Sequence, residues 1–246
     1  MLFRRTYKPA NESESTPDEH SSDLRHLRNS FRITAYAVAI LWAIRLFESV
    51  TGADLARFAI TPREIPGLMG VLTAPLIHGD FAHLISNSLP VLFLGTGLLY
   101  LYPRSAPFVL ALVYLLGGFA VWCFARPAAH LGASGVTYGL VTFLFFSGVI
   151  RRDPPSIGLA LIVAFLYGGT IWGVLPIEQG VSFESHLAGA ILGVIGAFLF
   201  RNFDQPEQDV TESDDGIDDD FEDGYDDNDD DDDALSRLQR GDDDWT

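Results

Sequence analysis

Ser134 lies in the stretch Gly132-Ala133-Ser134-Gly135-Val136-Thr137-Tyr138, at the mouth of an apolar run that ends at Arg151-Arg152. A hydroxyl in such a place calls for a reason. Hydrocarbon penalises a polar group that nothing satisfies, so a polar cluster within membrane-length runs marks a functional site. Two more clusters stand at comparable positions on other runs: His78, His83 and Asn87, and Glu184-Ser185-His186. A serine hydroxyl is a weak nucleophile until an adjacent base takes its proton, and neutral histidine is the usual base near pH 7. Ser134 and His186 together would therefore suit acyl transfer, which also needs hydrogen-bond donors where the oxyanion develops. His83 and Asn87, four apart, share a helix face and could donate side by side. Backbone N–H groups at the start of the run, that of Ser134 included, lack helical partners and could join them. Tyr138, one turn from Ser134, could support the imidazole from beneath. Glu184, two residues from His186, falls on another face or in the loop, so a dyad is expected rather than a triad.

These residues can meet only if the right elements carry them. Six apolar runs are visible, at 33–50, 83–101, 107–125, 134–150, 156–175 and 186–200, each close to the ~20 residues that cross a bilayer as a helix. The fourth and sixth are short. Arg45 and Glu48 interrupt the first and could pair on one face. The expected fold is an all-α polytopic bundle of six transmembrane helices. It would be flanked by a polar N-terminal tail (1–30) and an acidic disordered tail (204–246), with the membrane domain at 31–203.

Arginine placement orients the spans with both termini in the cytoplasm: Arg4, Arg5, Lys8, Arg25, Arg28 and Arg32, Arg104, Arg151, Arg152 and Arg201 fall inside, and only Arg57, Arg63 and Arg126 outside. The second, fourth and sixth runs then all start at the outer face. Ser134 lies 17 residues above Arg151, and His186 lies 15 above Arg201. At ~1.5 Å per residue the two sit at matching depth, several ångströms below the outer surface. Gly135 and Gly139 beside Ser134, and Gly189 and Gly193 after His186, would let the two helices approach backbone to backbone.

The formal charge of −17 is local. Residues 204–246 carry 21 acidic and 2 basic side chains, whereas 1–203 carry 12 acidic and 14 basic ones. Such an acidic block repels itself and buries nothing, and no nucleic-acid partner is expected. Within it Leu235, Leu238 and Trp245 could dock an unknown partner. No calcium-loop pattern is present. The single Cys123 excludes an intrachain disulfide. No short apolar core with a cleavage site opens the chain, so no removable signal peptide is expected. Arginine dominance over the lone Lys8, with the aspartate-rich tail, hints at a high-GC or halophilic prokaryotic source. Residues 51–82, with three prolines among many apolar residues, read as a loop lying partly in the membrane interface.

The pattern resembles the rhomboid family of intramembrane serine proteases. It is carried by His78-x4-His83-x3-Asn87, by Gly132-Ala133-Ser134-Gly135 with Tyr138, and by His186-Leu187-Ala188-Gly189-x3-Gly193, over about 31–201. The resemblance implies Ser134 as nucleophile, His186 as general base, His83 and Asn87 as oxyanion donors, and Tyr138 stacked under His186. It further implies a structural role for His78, transmembrane proteins in the lipid bilayer as substrates, and no cofactor. Many members carry a Trp-Arg pair in the first long loop. Residues 51–82 contain no tryptophan.

Other readings stay in view. Ser134 among glycines is also a helix-packing motif, and His186 could simply bond a neighbouring helix. A metal site at His78 and His83 would want three or four closely spaced ligands, and no His-Glu-x-x-His or cysteine cluster exists. His20, His26 and His130 read as bystanders. A catalytically silent scaffold binding single-span proteins is the main rival. A small-solute transporter lacks support, since no inverted repeat is visible.

Overall fold

The structure is a computed structural model that describes residues 17–177 and 180–205. These fall in the first of two units, Met1–Glu207; the first 16 residues and the acidic stretch beyond 205, with Leu235, Leu238 and Trp245, lie outside the described residues.

Among the described residues six main helices appear: α1 (Pro17–Thr51), α2 (Phe81–Leu101), α3 (Ala106–Phe124), α4 (Ser134–Arg151), α5 (Pro154–Tyr167) and α6 (Phe183–Leu199). Five stretches among the described residues are long and apolar enough to cross a membrane: His20–Thr51, all of α2, α3 and α4, and Pro154–Val174. The sixth helix is apolar but only 17 residues long, roughly 25 Å. The helical multi-pass architecture expected from the runs is thus present. Its boundaries differ in two places. Helix α1 starts at Pro17, inside the stretch read as a polar tail, so residues 17–30 continue the first span as helix. The fifth run is not one α-helix: after Tyr167 the chain tightens into a 3₁₀ segment, Gly168–Val174.

Local chemistry explains the helix ends. Asp80 caps α2 by accepting from the His83 N–H (2.7 Å), and Asp153 caps α5 by accepting from the Ser156 N–H (3.1 Å) while Pro154 occupies the first turn. Ser182 caps α6. Helix α3 contains a π-helical turn at Leu112–Leu116.

Helix α4 is the post around which the others stand. It packs against α2, α5 and α6, and its Leu140, Phe143 and Leu144 are buried with Leu94, Leu98, Val109 and Val163. Helix α1 joins α2 through polar rungs, Thr34 with Thr96 (2.8 Å) and the Trp42 indole N–H to Ser88 Oγ (3.0 Å). Arg45 and Glu48 form an ion pair at 2.7 Å. Apolar side chains such as Leu89, Phe124, Leu161 and Phe165 face outward, as lipid-exposed positions do.

The 52–80 loop is folded tightly against itself and α3. A Cβ at Gly67 or Gly70 would meet the backbone of Thr61 or of Ala59 and Ile60. Arg63 donates from its guanidinium to the Ala125 carbonyl (2.8 Å), and the Trp122 indole N–H donates to the Glu64 carbonyl (2.8 Å). Ile60 pairs with His130 as an isolated antiparallel bridge.

Candidate active site

Close approach of α4 and α6 comes first, because no side chain here could meet otherwise. A Cβ on Gly189 would fall on the Gly135 carbonyl, and one on Gly193 on the Gly139 carbonyl and Thr142 hydroxyl. Backbone therefore packs on backbone, and Ser134 Oγ lies 2.8 Å from His186 Nε2. His186 is buried, and its Nδ1 lies 2.8 Å from the Gly173 carbonyl. A carbonyl only accepts, so Nδ1 carries the proton and Nε2 presents its lone pair to the Ser134 O–H. The Tyr138 ring stacks on His186, with centroids 4.1 Å apart and planes 7° from parallel. The Tyr138 hydroxyl donates to the Thr170 carbonyl (2.6 Å).

The backbone just before Ser134 is held from several directions. Gly132 has φ +106° and its N–H donates to the Ala74 carbonyl (2.8 Å). The His83 imidazole lies against it, so that a Cβ at Gly132 would be 2.5 Å from His83 Cε1. Conformation and space both demand glycine. The buried His78 accepts the Ala133 N–H at Nε2 (3.4 Å) and meets His83 edge-to-face at 5.1 Å. Asn87, also buried, donates from Nδ2 to the His83 carbonyl (2.9 Å). Its Oδ1 lies 3.4 Å from the Thr137 hydroxyl, which also reaches the Ala133 carbonyl at 2.9 Å. Ser134, His186 and Tyr138 are thus in direct contact. His78 and His83 reach the serine through 132–133, and Asn87 through Thr137. Glu184 turns elsewhere, accepting from the Arg126 N–H at 3.2 Å. Among the described residues no group of three or more His, Cys, Asp and Glu side chains is gathered to hold a metal.

The rhomboid domain model matches residues 66–203, more than half of the chain and all the residues just described. The chain belongs to the rhomboid family. A protein of Mycobacterium tuberculosis named as uncharacterised is 34% identical over 171 residues, 66% of this chain and 71% of its own. One from Mycobacterium leprae, also named as uncharacterised, is 34% identical over 172 residues, 66% and 68% of the two chains. The RHOMBOID-like protein 4 of Arabidopsis thaliana is 30% identical over 140 residues, 52% of this chain and 33% of its own.

Several parts of this rhomboid's candidate site are not evident from its sequence. The carbonyls of Thr170 and Gly173 come from the 3₁₀ segment after α5; the cluster Gly168-Gly169…Gly173 in an apolar run was the available signal. Arg63 docks the long loop, which carries no tryptophan, to the end of α3. A Cβ on Gly173 would collide with the Tyr138 hydroxyl and lie 3.3 Å from His186 Nδ1. Gly173→Ala is expected to lower the serine's reactivity about 10- to 100-fold, the scale of an ångström-sized misplacement. Because the hydroxyl is the first obstacle, Tyr138→Phe in the same chain should recover part of that loss. A double variant that loses the sum of both effects would refute the steric account.

Burial, reinforced by the neighbouring His83, pushes the His78 imidazole from 6.5 down to about 4. Its folded state therefore resists protonation that the unfolded chain accepts. Stability associated with His78 is fully present above pH 6.5 and lost as pH falls towards about 4. The whole effect is on the order of 3 kcal/mol. His78→Gln keeps an acceptor near the Ala133 N–H and cannot titrate. Melting temperatures in detergent between pH 7.5 and 4 should fall more steeply for the wild type than for this variant; parallel curves would remove His78 from the account.

Proposed function

We propose that this family member is an intramembrane serine endopeptidase that cleaves transmembrane segments of other membrane proteins. The observation carrying the proposal is the 2.8 Å contact between Ser134 Oγ and a His186 Nε2 whose lone pair is fixed by the Nδ1–Gly173 bond. Ser134 Oγ attacks a substrate carbonyl carbon while its proton passes to Nε2. The oxyanion is received by the Ser134 N–H, which helix geometry leaves without an intrahelical partner, by the second Nδ2–H of Asn87, and by His83. As the C–N bond breaks, His186 returns the proton to the leaving amine, leaving an ester on Ser134. Water, activated by the same base, then hydrolyses the ester. Tyr138 keeps the imidazole plane in place.

The substrate must expose a carbonyl, and helical carbonyls are hydrogen-bonded and shielded. Single-span proteins with helix-weakening residues near the outer boundary are the proposed substrate class. Both termini of the rhomboid lie in the cytoplasm on this reading, which rests on the arginine distribution.

The test places the full chain in proteoliposomes with such a single-span protein, and separately exposes it to a fluorescent fluorophosphonate. The expected result is cleavage near the outer boundary and labelling of the protein. A folded wild type that neither cleaves nor labels, beside an active family member that does, would put the silent-scaffold reading in its place.

A further inference from the structure

His130 lies four residues before Ser134, and Ser182 four residues before His186. The two are hydrogen-bonded, His130 Nδ1 to Ser182 Oγ at 2.6 Å. The same two segments are therefore tied twice, by this pair and, four residues onward in each, by Ser134 and His186. We propose that His130 is a positioning residue for the dyad, the fixed point against which the first turn of α6 sets the height and rotation of His186.

The His130 imidazole is well suited to that task. Its backbone is held in both directions by Ile60, N–H to carbonyl at 2.9 Å and carbonyl to N–H at 3.0 Å. Its Nε2 lies 3.0 Å from the Arg126 carbonyl and must be the protonated nitrogen, since a carbonyl only accepts. In the neutral ring Nδ1 is then an acceptor, and the Ser182 O–H donates to it. Ser182 Oγ accepts in turn from the Ser185 N–H (3.3 Å) and lies 2.7 Å from the Ser185 hydroxyl. One directed chain thus runs from Ser185 through Ser182 and His130 to the Arg126 carbonyl, and it includes the cap of the helix that bears His186. Arg126 adds a second grip on the same helix end: its guanidinium donates to the Val181 carbonyl (2.6 Å) and lies 3.5 Å from the Glu184 carboxylate. His130 is almost fully buried, 2% exposed, which shields its imidazole from competing water, while Ser182 and Ser185 are half-buried.

The inference rests on the protease reading above, and the experiment separates the two. Full-length protein in detergent is titrated with a fluorescent fluorophosphonate, and the maximal labelling rate is resolved from the apparent binding constant. His130→Ala is expected to lower the maximal rate about 10- to 100-fold, with binding of the phosphonate unchanged. His130→Asn, whose Oδ1 takes the place of Nδ1, should return the rate to within about threefold of wild type, a rescue that a merely space-filling role would not give. Ser182→Ala breaks the same bond from the other side and carries the test if His130→Ala does not fold. The double variant should be no slower than the slower single variant. Folded single variants that label at the wild-type rate, or a His130→Asn protein as slow as His130→Ala, overturn the positioning role alone. A wild type that never labels overturns the protease reading, and this inference with it.

Discussion

Ser134→Ala and His186→Ala should each lower cleavage of a single-span substrate by about 10⁴-fold or more, and the double variant should be no worse than either. Losses of this size accompany removal of a nucleophile or its base from serine hydrolases, and they do not add because the two groups act as one unit. On the proposed reading the unit is the pair of Ser134 Oγ and His186 Nε2 at 2.8 Å: the serine without that lone pair would have nowhere to send its proton, and the lone pair without the serine would have nothing to deprotonate. Asn87→Ala should sit between these variants and wild type, with a loss of about 10²–10³, the usual weight of one oxyanion donor. Turnover measured in proteoliposomes checks all four, with melting temperature as control. The assignment fails if Ser134→Ala retains a tenth of wild-type activity.

The second large effect is expected at Gly189. A methyl group there meets the carbonyl oxygen of Gly135 and comes within 2.9 Å of its carbon. These are backbone atoms and cannot swing aside, so α4 and α6 must part. Separation by an ångström already takes Ser134 out of reach of His186. Gly189→Ala should lower fluorophosphonate labelling by about 100-fold and destabilise by about 1–3 kcal/mol, and Gly189→Leu should fail to accumulate as folded protein. Gly196, seven residues on along the same helix, supplies the control. A Cβ there finds Leu112 at 3.4 Å and Phe143 at 3.5 Å, ordinary contacts with side chains. Gly196→Ala should be neutral or mildly stabilising, because alanine favours the helix over glycine by up to ~1 kcal/mol. Equal behaviour of the two alanine variants would show that the contact at Gly189 does not govern the site.

The bundle was legible because each apolar run is close to bilayer length and is bounded by arginine, proline or a capping residue. Helix α1 exceeded its apolar run because residues 17–30 are polar yet compatible with helix, so hydropathy gives no start signal there. The break after Tyr167 is hard to see for the opposite reason: Gly168–Val174 carries no charge and continues the apolar run, with only its glycines to mark the change. Within the site, Ser134, Tyr138 and His186 stood out as side chains whose chemistry is unusual for their surroundings. The carbonyls of Thr170 and Gly173 could not stand out, since every residue has one and only the fold selects which is used. His130 was passed over because its partner is 52 residues away and belongs to no local pattern.

The partner of His186 Nδ1 is a peptide carbonyl, not a carboxylate. A carbonyl fixes the tautomer as well as an aspartate would, but it carries no formal charge. With the imidazole neutral, Ser134, His186, Tyr138 and the Gly173 and Thr170 carbonyls carry no formal charge between them. An ion kept permanently in a low-dielectric layer would cost several kcal/mol, and this arrangement has none to keep. On the proposed reaction the oxyanion and the imidazolium arise in the same step, a few ångströms apart, and vanish together when the proton moves on. Opposite charges born as a close pair attract most strongly where water is scarce. The bilayer, hostile to either ion alone, would then favour the one moment at which both exist.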